Sequence, residues 1–257
     1  MQILTYGFQS MMSIESEISL VTELNLTERG TVNHRRIANG ISPCSKLFQH
    51  HPLQEEVSTS TSKKKDTVHA RLQPQIAGRL KSTTKNVHGR WLVRLELASP
   101  DTTLTVVTAY RVCKDSGAPE SSSIAARERR SLMWSLHKEA HDPRKAFITD
   151  ITNYLCEVKQ KGHKLLLCMD ANIPWNHKDI QTLKRDLGLK DLMAAVANRD
   201  SPSPATYDRG DASKGPINLA LGCQATANAL LTVCFHDFTT LTGLTTASVN
   251  SALIKTP

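Results

Sequence analysis

The run Leu165 to Met169 carries five apolar residues straight into Asp170-Ala171-Asn172 and then breaks at Pro174. A carboxylate and an amide one residue apart at the end of an apolar segment have two uses. The aspartate can cap a helix or make a turn, or it can be a catalytic group held rigidly at the rim of a sheet. For an isolated aspartate the capping use is the commoner. Here other polar residues stand at comparable places: Glu23 beyond the apolar residues from Ile18, Tyr110-Arg111 at the end of a β-branched run, Thr206-Tyr207 in a loop, and Ile217-Asn218 at a later apolar run. All are candidates for one rim.

Bringing them together takes strands of fixed depth. The residues from Ile18 to Leu24 read as a short buried strand emerging at an acidic tip. In GRWLVRLELASPDTTLTVVTAYRV, Trp91, Val93, Leu95 and Leu97 alternate with Leu92, Arg94 and Glu96. A Ser-Pro-Asp turn follows, and Leu104 to Tyr110 forms a second β-branched run, so the pair predicts a hairpin. Ser121 to Ser123 can cap a helix running to about Ala140. Asp142-Pro143 opens another, with Phe147, Ile151, Leu155 and Val158 at helical spacing and Gly162 at its end. Leu165 to Met169 is a buried strand, a helix follows near Asp179 to Leu187 and closes at Gly188, and Pro216 to Gly222 and Leu230 to Phe235 read as two more strands. The stretch from Thr27 to Lys85, which holds the run VSTSTSKKKD (Val57 to Asp66), is polar and without sustained period, so much of it is expected to be loop. Paired strands followed by strands separated by helices predict a layered α+β architecture.

The composition narrows the partners. With 257 residues and 39% hydrophobic content the chain can bury a sizeable core, and it is expected to form a single domain. A net charge of +8 and a pI near 9.2 favour a polyanionic partner, nucleic acid first, with a merely basic surface as the plain alternative. The six cysteines show no CxxC spacing, which argues for reduced thiols and against a zinc site. No apolar run approaches the roughly 20 residues a bilayer requires, and the first residues lack the order of a signal peptide. An intracellular protein, nuclear or cytoplasmic, is expected.

Taken in order, TELN, GRWLVRLEL with LTVVTAYR, DPRKAFITDI, LLLCMDAN, ATYDRG and PINLALG resemble the endonuclease/exonuclease/phosphatase superfamily. The likeness is greatest to the apurinic-type endonuclease domain of non-LTR retrotransposons, which accompanies a reverse transcriptase. It runs from about Ile18 to Phe235, with a poorly matching gap between Thr27 and Lys85. It implies a two-layer β-sandwich flanked by helices, a four-layer αββα arrangement, acting on DNA with Mg²⁺ or Mn²⁺ and no small-molecule cofactor. By the same resemblance Glu23 and Asn218 stand at cation-binding positions, and Asp170 orients or deprotonates the attacking water. Asn172 donates to the phosphoryl oxygens, and Tyr110 lies near the scissile phosphate. Thr206, Arg111 and Arg209, with Lys214 beside them, would contact substrate phosphates. The two-residue period of a strand would put Asp170 and Asn172 on one side. Each also has a plain role: a strand-terminal aromatic for Tyr110, a turn hydroxyl for Thr206, solvated surface for the basic residues.

Three features depart from the family pattern. Met1 to Gly7 contains no asparagine where the first strand would carry one, so that strand is expected to be missing. Asn218 stands where an aspartate is usual, which keeps the shape and removes the charge. The last residues, 239–257, lack the Ser-Asp-His-type element and are expected to be a non-native or disordered tail. Three functions therefore stay open: a Mg²⁺-dependent DNA endonuclease-like domain, a catalytically dead nucleic-acid-binding relic, and a phosphatase-type member of the superfamily.

Overall fold

The hairpin expected from the alternation after Trp91 forms the middle of the largest sheet. A computed structural model describes residues 18–21, 46–50, 68–72, 79–85, 93–98, 102–114, 123–136, 142–197, 218–236 and 249–254. The first strands are β1 (Ile18–Val21), β2 (Lys46–His50) and β3 (Val68–Leu72), which make a three-stranded antiparallel sheet in the order β1-β3-β2. Next come β4 (Leu80–Lys85), β5 (Val93–Ala98) and β6 (Thr103–Tyr110), antiparallel neighbours. Helices α1 (Ile124–Leu136) and α2 (Pro143–Gln160) lead to β7 (Lys164–Asp170). Then follow α3 (Lys178–Leu187), β8 (Lys190–Asp191), α4 (Leu192–Ala197), β9 (Asn218–Gly222), α5 (Gln224–Ala229), β10 (Leu230–His236) and β11 (Val249–Ile254).

Six of these strands form one mixed sheet in the order β4-β5-β6-β7-β9-β8. Only β6 and β7 run parallel in it. Parallel neighbours need a long crossover, and α1 and α2 supply it. Strands β2 and β3 lie against β5 and β6, which gives the sandwich its second layer. Strands β10 and β11 pair antiparallel as a separate ribbon.

The helices form where their ends are satisfied and one stripe is apolar. Asp142 caps α2 by accepting from the Arg144 backbone N–H at 2.9 Å, and Pro143 takes the first turn, where its missing N–H costs nothing. Phe147, Ile151, Leu155 and Val158 then bury one face. Ser123 caps α1 by accepting from the Ala126 N–H at 3.1 Å. Helix α3 closes on Gly188 at φ +66°, the left-handed conformation that glycine adopts without a Cβ clash.

Residues of one parity on the central strands meet these stripes. Val107 and Ala109 of β6, Leu165, Leu167 and Met169 of β7, and Leu219 and Leu221 of β9 share a core with Phe147, Ile151 and Leu155 of α2 and Ile180, Leu183 and Leu187 of α3. Apart from Ala109, each such side chain, fully buried, contributes about 1.5–3 kcal/mol relative to exposure. At Gly222 a Cβ would meet the Leu165 carbonyl oxygen and the Leu192 methyls at 3.1 Å, so α4 packs closely against this glycine and a side chain there would push its neighbours aside by a few tenths of an ångström.

The layered α+β class expected from the sequence is present, and the large sheet is mixed. The stretch read mainly as loop carries β2, β3 and β4, and residues 249–254 of the expected tail pair as β11. Met1 to Gly7 and residues 237–248 lie outside the described residues.

Candidate active site

The parallel register pairs Tyr110 with Asp170, and the antiparallel register pairs Asp170 with Asn218. Three residues singled out in the sequence thus stand in one row across β6, β7 and β9, at the ends of β6 and β7 and the start of β9. Paired residues of a sheet point to the same face. It is the face opposite the helices, because the alternate residues Ala109, Met169 and Leu219 enter the helix-side core. Tyr110 is 5% exposed and Asp170 8%, with Asn218 partly buried. Two residues back on that face lie Thr108 and Cys168, paired with each other. The Thr108 hydroxyl is buried without a hydrogen-bond partner. Burial pushes the Cys168 thiol up to about 12.

Beyond Asp170 the chain turns. Strand β7 ends there, and Asn172 takes a positive φ of 49°, alone among the described non-glycine residues. Asparagine tolerates this region because its short side chain bonds locally. The Asn172 backbone N–H donates to Asp170 Oδ1 at 3.1 Å, its Nδ2 donates to the Arg111 carbonyl at 2.6 Å, and its Oδ1 accepts from Cys113 Sγ at 3.2 Å. A carbonyl can only accept, so its contact with Arg111 fixes which end of the amide is nitrogen. The strand-period argument for placing Asn172 beside Asp170 is therefore corrected: the left-handed turn, not an extended strand, sets the amide.

Arg111 is placed differently from its expectation as an open phosphate contact. It is 3% exposed and lies on the helix side, one residue out of phase with Tyr110. Its Nε donates to the Arg144 carbonyl and its terminal guanidinium nitrogen to the Ala171 carbonyl, both at 3.4 Å. Burial, then the nearby Arg144 charge, lower it to about 10, with Asp179, Asp142 and Cys113 pulling the other way. It stays protonated at neutral pH. Glu23, Thr206, Arg209 and Lys214 lie outside the described residues. Cys113 and Arg144 were not singled out in the sequence.

Asp170 and Asn218 bring a carboxylate and an amide oxygen to adjacent positions. Hard oxygen donors of this kind fit Mg²⁺, which keeps several of its own waters and takes few protein ligands. No group of three or more histidine, cysteine or acidic side chains gathers among the described residues. No helix among the described residues is long and apolar enough to cross a membrane.

No protein-family profile matches the chain, and no curated protein matches it in sequence. Solved structures do match in shape. An AP endonuclease, LMAP, from Leishmania major aligns with a TM-score of 0.68 at 8% identity, over 98% of this chain and 82% of that one. The 3'-5' exonuclease NExo from Neisseria meningitidis aligns at 0.57 and 15%, over 98% and 95%. The endonuclease domain of TRAS1, a telomere-specific non-LTR retrotransposon, aligns at 0.54 and 12%, over 99% and 93%. The chain has the endonuclease/exonuclease/phosphatase fold.

Proposed function

We propose that the chain is a nuclease-like domain that hydrolyses DNA phosphodiesters with a divalent cation, Mg²⁺ first, at the rim of β6, β7 and β9. The observation that carries this is the row Tyr110, Asp170 and Asn218, one carboxylate flanked by a phenol and an amide on a single face. The nuclease names of the structures it resembles support the same reading, as does the net charge of +8.

In this reading Asp170 takes the proton of the attacking water. Asn172, with one Nδ2 hydrogen committed to the Arg111 carbonyl, turns the other toward a phosphoryl oxygen, where negative charge grows in the transition state. The Tyr110 hydroxyl donates to the same group. Asn218 and, by the resemblance, Glu23 would hold the cation, which would supply charge stabilisation when bound. Asn218 in place of a carboxylate weakens that hold, so the half-maximal Mg²⁺ concentration is expected to be high. The order of the sequence motifs, together with the likeness to the TRAS1 domain, supports a retroelement-type endonuclease over a small-phosphate phosphatase.

Nicking of supercoiled plasmid by the purified chain tests this, with Mg²⁺, with EDTA, and with Asp170→Ala. Metal-dependent nicking that disappears in the variant is expected. A folded chain that binds plasmid with steep salt dependence but never nicks would instead make it a binding relic.

A further inference from the structure

We infer that Arg111 is the positioning residue of this rim: a buried guanidinium that splints the Asp170-Ala171-Asn172 turn to the first turn of α2. The inference rests on the nuclease reading for its kinetic arm only. Four bonds carry it. The Arg111 N–H donates to the Asp170 carbonyl at 2.9 Å, and the Arg111 carbonyl accepts from Asn172 Nδ2 at 2.6 Å. Its terminal guanidinium nitrogen donates to the Ala171 carbonyl and its Nε to the Arg144 carbonyl, each at 3.4 Å. One residue therefore touches all three members of the turn and the helix behind it. At 3.4 Å the side-chain bonds are long, so location comes from the set and not from any single bond.

The choice of residue type needs explaining. A buried cation bonded to neutral carbonyls loses solvation that an apolar side chain of similar volume would not. Arg144 adds repulsion. What the guanidinium supplies in return is a planar fork able to serve two carbonyls at once, which an ammonium or a methionine does not reproduce. With Nε and a terminal nitrogen engaged and 3% of the residue exposed, Arg111 is poorly placed to meet a substrate phosphate. Its effect on chemistry runs through the Ala171-Asn172 peptide: the guanidinium holds the Ala171 carbonyl, and so the main chain from which the Asn172 amide reaches the Arg111 carbonyl and Cys113.

Cys113 provides a readout that does not depend on catalysis. It is exposed, and its thiol donates to Asn172 Oδ1, so loosening the turn frees the sulfur. The experiment compares the full-length chain with Arg111→Lys and Arg111→Met. Alkylation at Cys113 by a neutral maleimide is followed by peptide mass spectrometry, and plasmid nicking is measured with kcat and KM separated. Both variants are expected to alkylate faster at Cys113. Both are expected to lose about 10- to 100-fold in kcat, as supporting residues around a site typically do, with KM little changed. A raised KM with intact kcat would make Arg111 a phosphate contact and overturn the splint, as would unchanged alkylation with unchanged nicking. If the native chain does not nick, the nuclease reading fails while the alkylation arm still decides the splint. If neither variant folds, amide hydrogen exchange of the native chain decides: Asn172 should exchange as slowly as the β7 amides, and exchange at the rate of an unstructured amide would overturn the inference.

Discussion

Strands β6 and β7 have two unlike faces built from the same residues in alternation. On the helix side Val107, Ala109, Leu167 and Met169 meet Phe147, Ile151 and Leu155. The hydroxyls of that parity on β6 are satisfied, Thr103 by Lys81 Nζ at 3.2 Å and Thr105 by His163 Nδ1 at 2.9 Å. On the other side Thr108, Tyr110, Cys168 and Asp170 are polar, three of them buried, and the Thr108 hydroxyl has no partner. A buried polar group without compensation is a cost that stability alone does not explain. The helix face holds the sheet together, and in the proposed reading the opposite face carries the groups that act at the rim.

That division can be broken by experiment. The largest effect is expected at Asp170, where alanine should remove about 10²- to 10⁴-fold of nicking while shifting thermal unfolding far less; equal losses in both would erase the division. Phe147→Ala, from the other face, should cost about 3–5 kcal/mol in urea unfolding, and a loss of under about 1 kcal/mol would mean that this face is not the stabilising one. Thr108→Val should raise stability by about 1 kcal/mol, because it deletes an orphaned hydroxyl with little change of shape. Destabilisation there would show that the hydroxyl has a use in the folded state.

The smallest effect is an order of thiol reactivity. Burial alone would raise the Cys223 thiol, but hydrogen bonds from the Thr226 side chain and from the backbone N–H groups of Leu165, Thr226 and Ala225 outweigh it and lower its pKa. Cys168 is instead held up near 12. Between its ordinary value of 9.0 and that figure the unfolded chain gives up the Cys168 proton while the folded chain keeps it, so Cys168 makes stability fall as pH rises. Cys223 acts oppositely below its ordinary value. Alkylation at rising pH should therefore mark Cys223 first and leave Cys168 silent; the reverse order would contradict the burial of the site-side face.

Much of the helix face was legible in the sequence. Phe147, Ile151, Leu155 and Val158 recur at helical spacing between an Asp-Pro start and Gly162, and period and caps are local signals. Strands β2 and β3 were not legible, because no alternation marks them within a polar stretch. The six-residue helices α4 and α5 are too short to show a period. For the rim, residue types and segment ends named Tyr110, Asp170 and Asn218, but their alignment is a matter of register between distant segments, which no local pattern encodes. Arg111 was misplaced for a reason visible beforehand: next to Tyr110 in an extended strand it must face the other way. Asn172 escaped the same rule because the strand had already ended.

The single parallel pairing in the large sheet has a consequence for how the protein comes into being. Arg111 and Ala171 touch across a separation of 60 residues, and Tyr110 meets Asp170 only after α1 and α2 have carried the chain back over the sheet. Closing so long a loop must precede any reward from the contacts it makes, which slows formation of nonlocal strand pairs. The local hairpin of β5 and β6 can form early during synthesis, whereas the row of polar residues waits for β7 and then for β9, so in a chain emerging from the ribosome the row is complete only once nearly all of the sheet is made.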